Sequence, residues 1–166
     1  VRSVGDRVVV ATTEGRLLET AHVVFCTGYE FLKPLESKRH AIASTWAFAS
    51  RPKLQMPDWL SDHLVWEASD PYLYFRMGGD GRLIIGGEDE ESPDAHEDQA
   101  KLKRKRDTIA AKLKGLLPDL EFEVEYSWAA AFGESSDSLP SIAPIPDMEH
   151  SWAVMGLGGN GITYSV

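Results

Sequence analysis

Residues 72–85 read Tyr72-Leu73-Tyr74-Phe75-Arg76-Met77-Gly78-Gly79-Asp80-Gly81-Arg82-Leu83-Ile84-Ile85. Two strand-like runs flank a turn rich in glycine, which is the strongest hairpin signal in the chain. Period-two geometry puts Leu73, Phe75 and Met77 on one face and Tyr72, Tyr74 and Arg76 on the other. The first face is apolar and belongs to a core. The second carries two phenols and a guanidinium, and is read either as the wall of a pocket or as a polar face turned to solvent. An antiparallel sheet with one covered face is therefore the expected centre of the fold.

What covers that face comes next in the chain. From Asp94 to Leu117 the period turns helical, with Leu102, Ile109, Leu113 and Leu116 on one stripe. Asp94 with Glu97 has the spacing of a capping box, and Pro118 closes the helix. A strand is expected at Phe122 to Trp128, and another at Ala41 to Phe48 before the loop marked by Pro52 and Pro57. At the start, Arg7 to Thr12 and Ala21 to Cys26 read as strands around Glu14-Gly15. The second of these is apolar on both faces, as in the interior of a layered sheet, with Thr27-Gly28 at the end where α/β folds place ligands. No internal repeat interrupts the pattern. The expected fold class is α+β, a mostly antiparallel sheet with a helix packed on one face.

A second glycine cluster follows the apolar run Trp152-Ala153-Val154-Met155: Gly156-Leu157-Gly158-Gly159-Asn160-Gly161-Ile162-Thr163. Backbone N–H groups unshielded by side chains are what close approach to a phosphate or a flavin edge requires. Gly156, Gly158 and Gly161 also match the G-x-G-x-x-G spacing, but a dinucleotide-binding turn opens a βαβ unit, which this position does not offer.

Composition narrows the classes further. A net charge of -9 over 166 residues repels nucleic acid and anionic membrane surfaces. No run is long and apolar enough for a membrane-spanning helix, and the lone Cys26 permits no intrachain disulfide, so a cytoplasmic location is the expectation. The first residue is Val, and the chain is read as a fragment of a longer protein. His22, His40, His63, His96 and His150 lack ligand spacing, so no metal site is expected. Lys101, Lys103, Arg104, Lys105 and Arg106 read as a solvated helix face. The acidic run Glu88-Asp89-Glu90-Glu91 suits a cationic amine or a hard cation, and is read first as an exposed loop.

Four separated pieces occur in a familiar order: Phe25-Cys26-Thr27-Gly28-Tyr29, the hairpin ending Asp80-Gly81-Arg82-Leu83-Ile84-Ile85-Gly86-Gly87-Glu88-Asp89, the stretch from Trp128 to Ile142, and Gly158 to Thr163. Together they resemble FAD-dependent oxidoreductases of the D-amino-acid oxidase and glycine oxidase type, over essentially the whole chain. The resemblance implies residues 1–33 as the last strands of an FAD-binding α/β domain, 34–134 as a substrate domain, and 135–166 as the return segment with a flavin-facing loop. It implies that the turn binding the FAD pyrophosphate lies upstream of Val1, so that these residues alone hold FAD weakly and are inactive. Family glycines are replaced by Ala130, Ser138 and Ala143, and a threonine by Ser135.

The same resemblance implies roles. Val1, Thr27, Gly28, Gly158, Gly159, Asn160, Gly161, Ile162 and Thr163 would contact FAD, while Tyr72, Tyr74, Arg76, Trp46 and Phe132 would face the substrate, with Trp128 narrowing the same cavity. The reaction implied is oxidation of a C–N bond of a small amine or amino-acid-like substrate by hydride transfer to flavin. The charge that builds on the ring would be met by the N–H groups at the start of the helix after Gly158 and by the Thr163 hydroxyl. The cofactor carries the redox chemistry, so no catalytic acid or base is assigned. Arginines that clamp a substrate carboxylate in the family are matched here by Phe132 and Gly159. Their loss removes charge-assisted bonds of about 1.5–3 kcal/mol each and disfavours a simple α-amino acid. The alternative is a non-catalytic binding module that keeps the oxidase-like sheet.

Overall fold

The structure, a computed structural model, describes residues 1–30, 33–35, 39–53 and 55–164. In chain order its elements are β1 (Arg2–Val4), β2 (Arg7–Ala11), β3 (Leu17–Thr20), β4 (Val23–Gly28), β5 (His40–Ser50), β6 (Leu64–Trp66), β7 (Leu73–Met77), β8 (Leu83–Glu90), α1 (Gln99–Leu116), β9 (Val124–Ser135), β10 (Ser141–Pro144), β11 (Ser151–Met155) and α2 (Gly161–Tyr164). Contacts divide the chain into two units, Val1–Ile42 with Phe132–Val166, and Ala43–Ala131. No helix among the described residues is long and apolar enough to cross a membrane.

The second unit is built on the expected hairpin. Leu73 opposes Gly87, Phe75 opposes Ile85 and Met77 opposes Leu83, within a five-stranded sheet of order β6-β7-β8-β5-β9. One face supplies Trp46, Phe48, Leu73, Phe75, Leu83 and Ile85 to the core, and α1 packs Ile109 and Leu113 onto the same cluster. The α+β expectation therefore stands: a mostly antiparallel sheet carries its helix on one face.

Details of the helix differ from the expectation. Asp94 makes no capping bond, and a 3-10 turn at Ala95–Glu97 precedes the helix proper. Asp98 is the cap, accepting from the backbone N–H of Ala100 at 2.8 Å and of Lys101 at 3.1 Å. The backbone explains the choice: Asp98 is extended at φ -76°, ψ 106°, as a capping residue must be, whereas Asp94 is already helical at φ -112°, ψ -7°. At the other end Leu116 is exposed, and Leu117 and Leu120 pack on the core instead because the chain leaves the helix at Leu117. Asp98→Ala is accordingly expected to lower the midpoint of urea unfolding, because the N–H groups of Ala100 and Lys101 lose their capping acceptor. Asp94→Ala should stay within about 0.5 kcal/mol, and a reversed order would place the cap elsewhere.

The first unit holds two three-stranded sheets. One is the antiparallel meander β1-β2-β3, and the other has the order β10-β11-β4, with β11 antiparallel to β10 and parallel to β4. β4 corrects an expectation. It is an edge strand among the described residues, Val24 is 57% exposed and Cys26 is exposed as well. An apolar run marks a strand, but its burial depends on neighbours that periodicity does not report. β9 also outruns its expected end at Trp128, continuing through Ala129-Ala130-Ala131 to Ser135 as the neighbour of β5 at the edge of the five-stranded order.

Candidate functional site

In the first unit the parallel pair brings two glycine-bearing segments to one end. Ser151 opposes Val23, Ala153 opposes Phe25 and Met155 opposes Gly28, so Thr27-Gly28 and Gly156 emerge together from the carboxyl ends of their strands. That is where open α/β sheets bind ligands. Beyond Met155 the chain turns at Gly156 (φ +68°) and Gly158 (φ +54°), makes a 3-10 turn over Gly158–Asn160 and enters α2. Gly28 and Gly159 have open space where a side chain would stand. Ile162 is 86% exposed, and Asn160 and Thr163 are exposed too.

The Thr27 hydroxyl is engaged locally, donating to the Glu30 carbonyl at 2.7 Å. Val1 precedes β1, in the other sheet of this unit. Phe132 is half-buried on β9. The segment between β9 and β10 folds back on the glycine loop, where the Tyr164 hydroxyl donates to the Ser138 carbonyl at 3.3 Å. Ser138 has φ +57°, a left-handed conformation at one of the positions where the resemblance expects glycine. Beside it the Asp137 carboxyl is held below the ordinary aspartate range, first by the backbone N–H of Leu139 and then by the Ser135 hydroxyl.

The second unit carries the proposed substrate wall on the sheet face away from α1. Tyr74 pairs across β6 with Trp66 and across β8 with Gly86, and Arg76 pairs with Leu64 and Ile84, so these residues share the face. Tyr72 joins them through its ring, 6.2 Å from Tyr74 and 5.5 Å from Trp66, the latter edge to face. Its hydroxyl donates to Asp89 Oδ2 at 2.6 Å. Burial pushes the Tyr74 phenol above its ordinary value; Thr45 nearby opposes this and the charge of Asp89 adds to it.

Trp46 does not join this group. Its register opposite Gly87, which in turn opposes Leu73, puts it on the helix-covered face, wholly buried in the core. The sheet itself separates it from the tyrosines. Trp128 on β9 is partly open to solvent. Trp66 and Asp89 are the residues of this face that sequence reasoning missed: β6 is too short for alternation to show, and Asp89 lies in the run expected as a loop.

Glu88 to Glu90 of that run are strand, not loop. Glu88 is only 7% exposed and pairs with Lys112 and, at 3.4 Å, with Lys105. Glu90 meets Lys101 at 2.5 Å and Lys105 at 2.9 Å, which holds its carboxyl below the ordinary glutamate range. Lys105 also lies 4.7 Å over the Trp46 ring. Lys101 and Lys105, expected on a solvated face, instead clamp the helix to β8.

Comparison with known proteins bears on the whole chain. A family model described as FAD dependent oxidoreductase matches residues 1–166. Among solved structures, glycine oxidase from Geobacillus kaustophilus is similar with a TM-score of 0.76 at 20% identity, over 95% of this chain and 41% of its own. Glycine oxidase from Bacillus cereus is similar with a TM-score of 0.74 at 18% identity, over 99% of this chain and 45% of its own. Iminodiacetate oxidase from Chelativorans sp. BNC1 gives a TM-score of 0.74 at 16% identity, over 98% of this chain and 44% of its own. The chain thus spans less than half the length of these proteins, and the likeness at such identities is one of fold. No curated protein matches the sequence.

Proposed function

The chain belongs to the family of FAD-dependent oxidoreductases, and we propose on that premise that the full-length protein oxidises a C–N bond of an amine or amino-acid-like substrate. The observation that carries this reading is the convergence of Thr27-Gly28 and the Gly156 to Thr163 loop at the carboxyl ends of a parallel strand pair. The residues present suit the cofactor, since Gly28 and Gly159 leave the backbone open to a flat ring. When bound, FAD supplies the hydride acceptor. The loop's own part is to approach the ring with its backbone from Gly158 to Thr163. Thr27 acts by fixing the turn after β4 rather than through a free hydroxyl.

On this reading residues 34–134 form the substrate domain, and Tyr72, Tyr74 and Arg76 line the wall. An apolar ring at position 132 and a bare backbone at 159 cannot pair with an α-carboxylate, whose unpaired desolvation costs several kcal/mol. The preferred substrate is then an amine whose carboxylate, if it has one, lies away from the reacting carbon.

Two variants and one titration test the reading. A Cβ added at Gly159 or at Gly79 would meet no atom within 4 Å, so neither Gly159→Val nor Gly79→Val is strained in this chain. Gly159→Val should lose most of the flavin absorbance of the full-length protein, while Gly79→Val keeps it. Anaerobic bleaching of that flavin should be faster with an N-substituted or longer amine than with glycine or D-alanine. A colourless wild-type protein that FAD does not reconstitute removes the oxidoreductase reading, and faster bleaching by glycine removes the substrate reading alone.

A further inference from the structure

Along the end of β8 three acids alternate between the faces of the sheet. Glu88 and Glu90 turn to α1 and are neutralised by its lysines. Asp89 turns to the other face, where Oδ2 accepts from Tyr72 while Oδ1 is buried with no hydrogen-bond partner. Among the described residues no ion pair involves Asp89. A carboxylate with one oxygen bound to a phenol and the other shut from water keeps its charge and much of its acceptor capacity unused.

Aromatic rings lead from this carboxylate toward solvent. Tyr72 stands between Tyr74 and Trp66, and Trp66 is 71% exposed. Tyr74 lies close over the strand because residue 86 is glycine; a methyl group there would come within 2.5 Å of its hydroxyl. The ring faces present negative quadrupole density, and the carboxylate adds full charge, a combination suited to an organic cation. A hard metal ion needs several oxygen ligands, and this face offers one carboxylate and two phenols.

We propose that Asp89, Tyr72, Tyr74 and Trp66 form a subsite for an alkylammonium group of the substrate, which therefore carries a second amine away from the bond being oxidised. The inference rests on the reading of this face as a substrate wall. The ammonium held here is not the group oxidised, because a nitrogen protonated against a carboxylate has no lone pair to assist departure of hydride from its carbon. The neutral amine lies at the other end of the molecule. The substrate class is a diamine, or a basic amino acid oxidised at its side-chain amine so that the carboxylate stays away from the reacting carbon.

Calorimetric titration of the full-length protein tests this with 1,5-diaminopentane and 1,5-pentanediol, chains of equal length that carry ammonium groups in one case and hydroxyls in the other. The wild type should bind the diamine at least about tenfold more tightly. Asp89→Asn, nearly isosteric, should abolish that preference, and Trp66→Leu, at an exposed position, should reduce it with circular dichroism unchanged. No preference in the wild type, or one that survives Asp89→Asn, overturns the subsite. Binding is read without turnover, so a preference that vanishes in Asp89→Asn in a protein that oxidises no amine would keep the ammonium subsite and remove the oxidase reading.

Discussion

Lys105→Ala is expected to lower the unfolding free energy by about 3 kcal/mol, the low end of what breaking a buried ion pair costs. Lys103→Ala, an exposed position two residues away on the same helix, should stay within about 0.5 kcal/mol. The Lys105 ammonium donates to the Glu88 carbonyl at 2.8 Å, meets Glu90 at 2.9 Å and lies over Trp46. Its removal strips a partner from a largely buried carboxylate and a cation from a core ring at once. Lys112 still holds Glu88 and Lys101 still holds Glu90, which keeps the loss from the upper end of the range. Urea unfolding followed by tryptophan fluorescence measures the difference, and equal midpoints for the two variants would falsify the account of the clamp.

The pH dependence of that loss has a definite sign. Glu90 is held below its ordinary value by hydrogen bonds from Lys101 and then Lys105. A folded-state value below the unfolded one contributes stability that is present above the ordinary carboxylate range and lost as pH falls through the folded value. Wild type and Lys105→Ala should therefore converge on acidification and separate again toward neutral pH.

The hairpin is legible in the sequence because both of its faces obey the same period: the apolar one is buried and the aromatic one is not. The clamp is not legible, although each of its residues stands out as charged. Lysines at positions 101 and 105 and acids at 88 and 90 each look like solvated surface when read alone, and nothing in local spacing says that two charged runs neutralise one another across a strand–helix crossing. The Gly86-Gly87 pair conceals it further by resembling the end of a strand. In the structure it is a turn of the backbone within the strand, after which pairing resumes with Ser44 opposite Glu90. β4 shows the converse limit, since Val23-Val24-Phe25 identifies the strand but not the exposed edge it occupies. For the glycine loop, residue types alone indicate the right kind of backbone, and the parallel pairing of β4 with β11 supplies what no motif encodes, its placement beside Thr27-Gly28.

Gly87→Ala is the substitution with the largest expected effect on the sheet, about 2–6 kcal/mol as the sum of a strained backbone and an overpacked contact. Gly87 has φ +136°, where a side chain is strained whatever the space, and a Cβ there would land on the Tyr72 carbonyl with Leu73 Cα at 3.1 Å. Relief would require β7 and β8 to part at the hydrogen bond from the Glu88 N–H to the Tyr72 carbonyl, 3.2 Å long. That bond sits at the point where the chain turns Glu88 toward α1 and Asp89 toward Tyr72, so the same strain acts on both the clamp and the open face. Gly79→Ala is the control: no neighbour stands within 4 Å of the added methyl and the position has no left-handed φ, so its cost should stay within about 0.5 kcal/mol. Thermal unfolding of the two variants decides the matter. If Gly87→Ala melts together with Gly79→Ala, the backbone turn at Gly86-Gly87 is not what orients the three acids, and the alternation of Glu88, Asp89 and Glu90 must be held by the lysines of α1 instead.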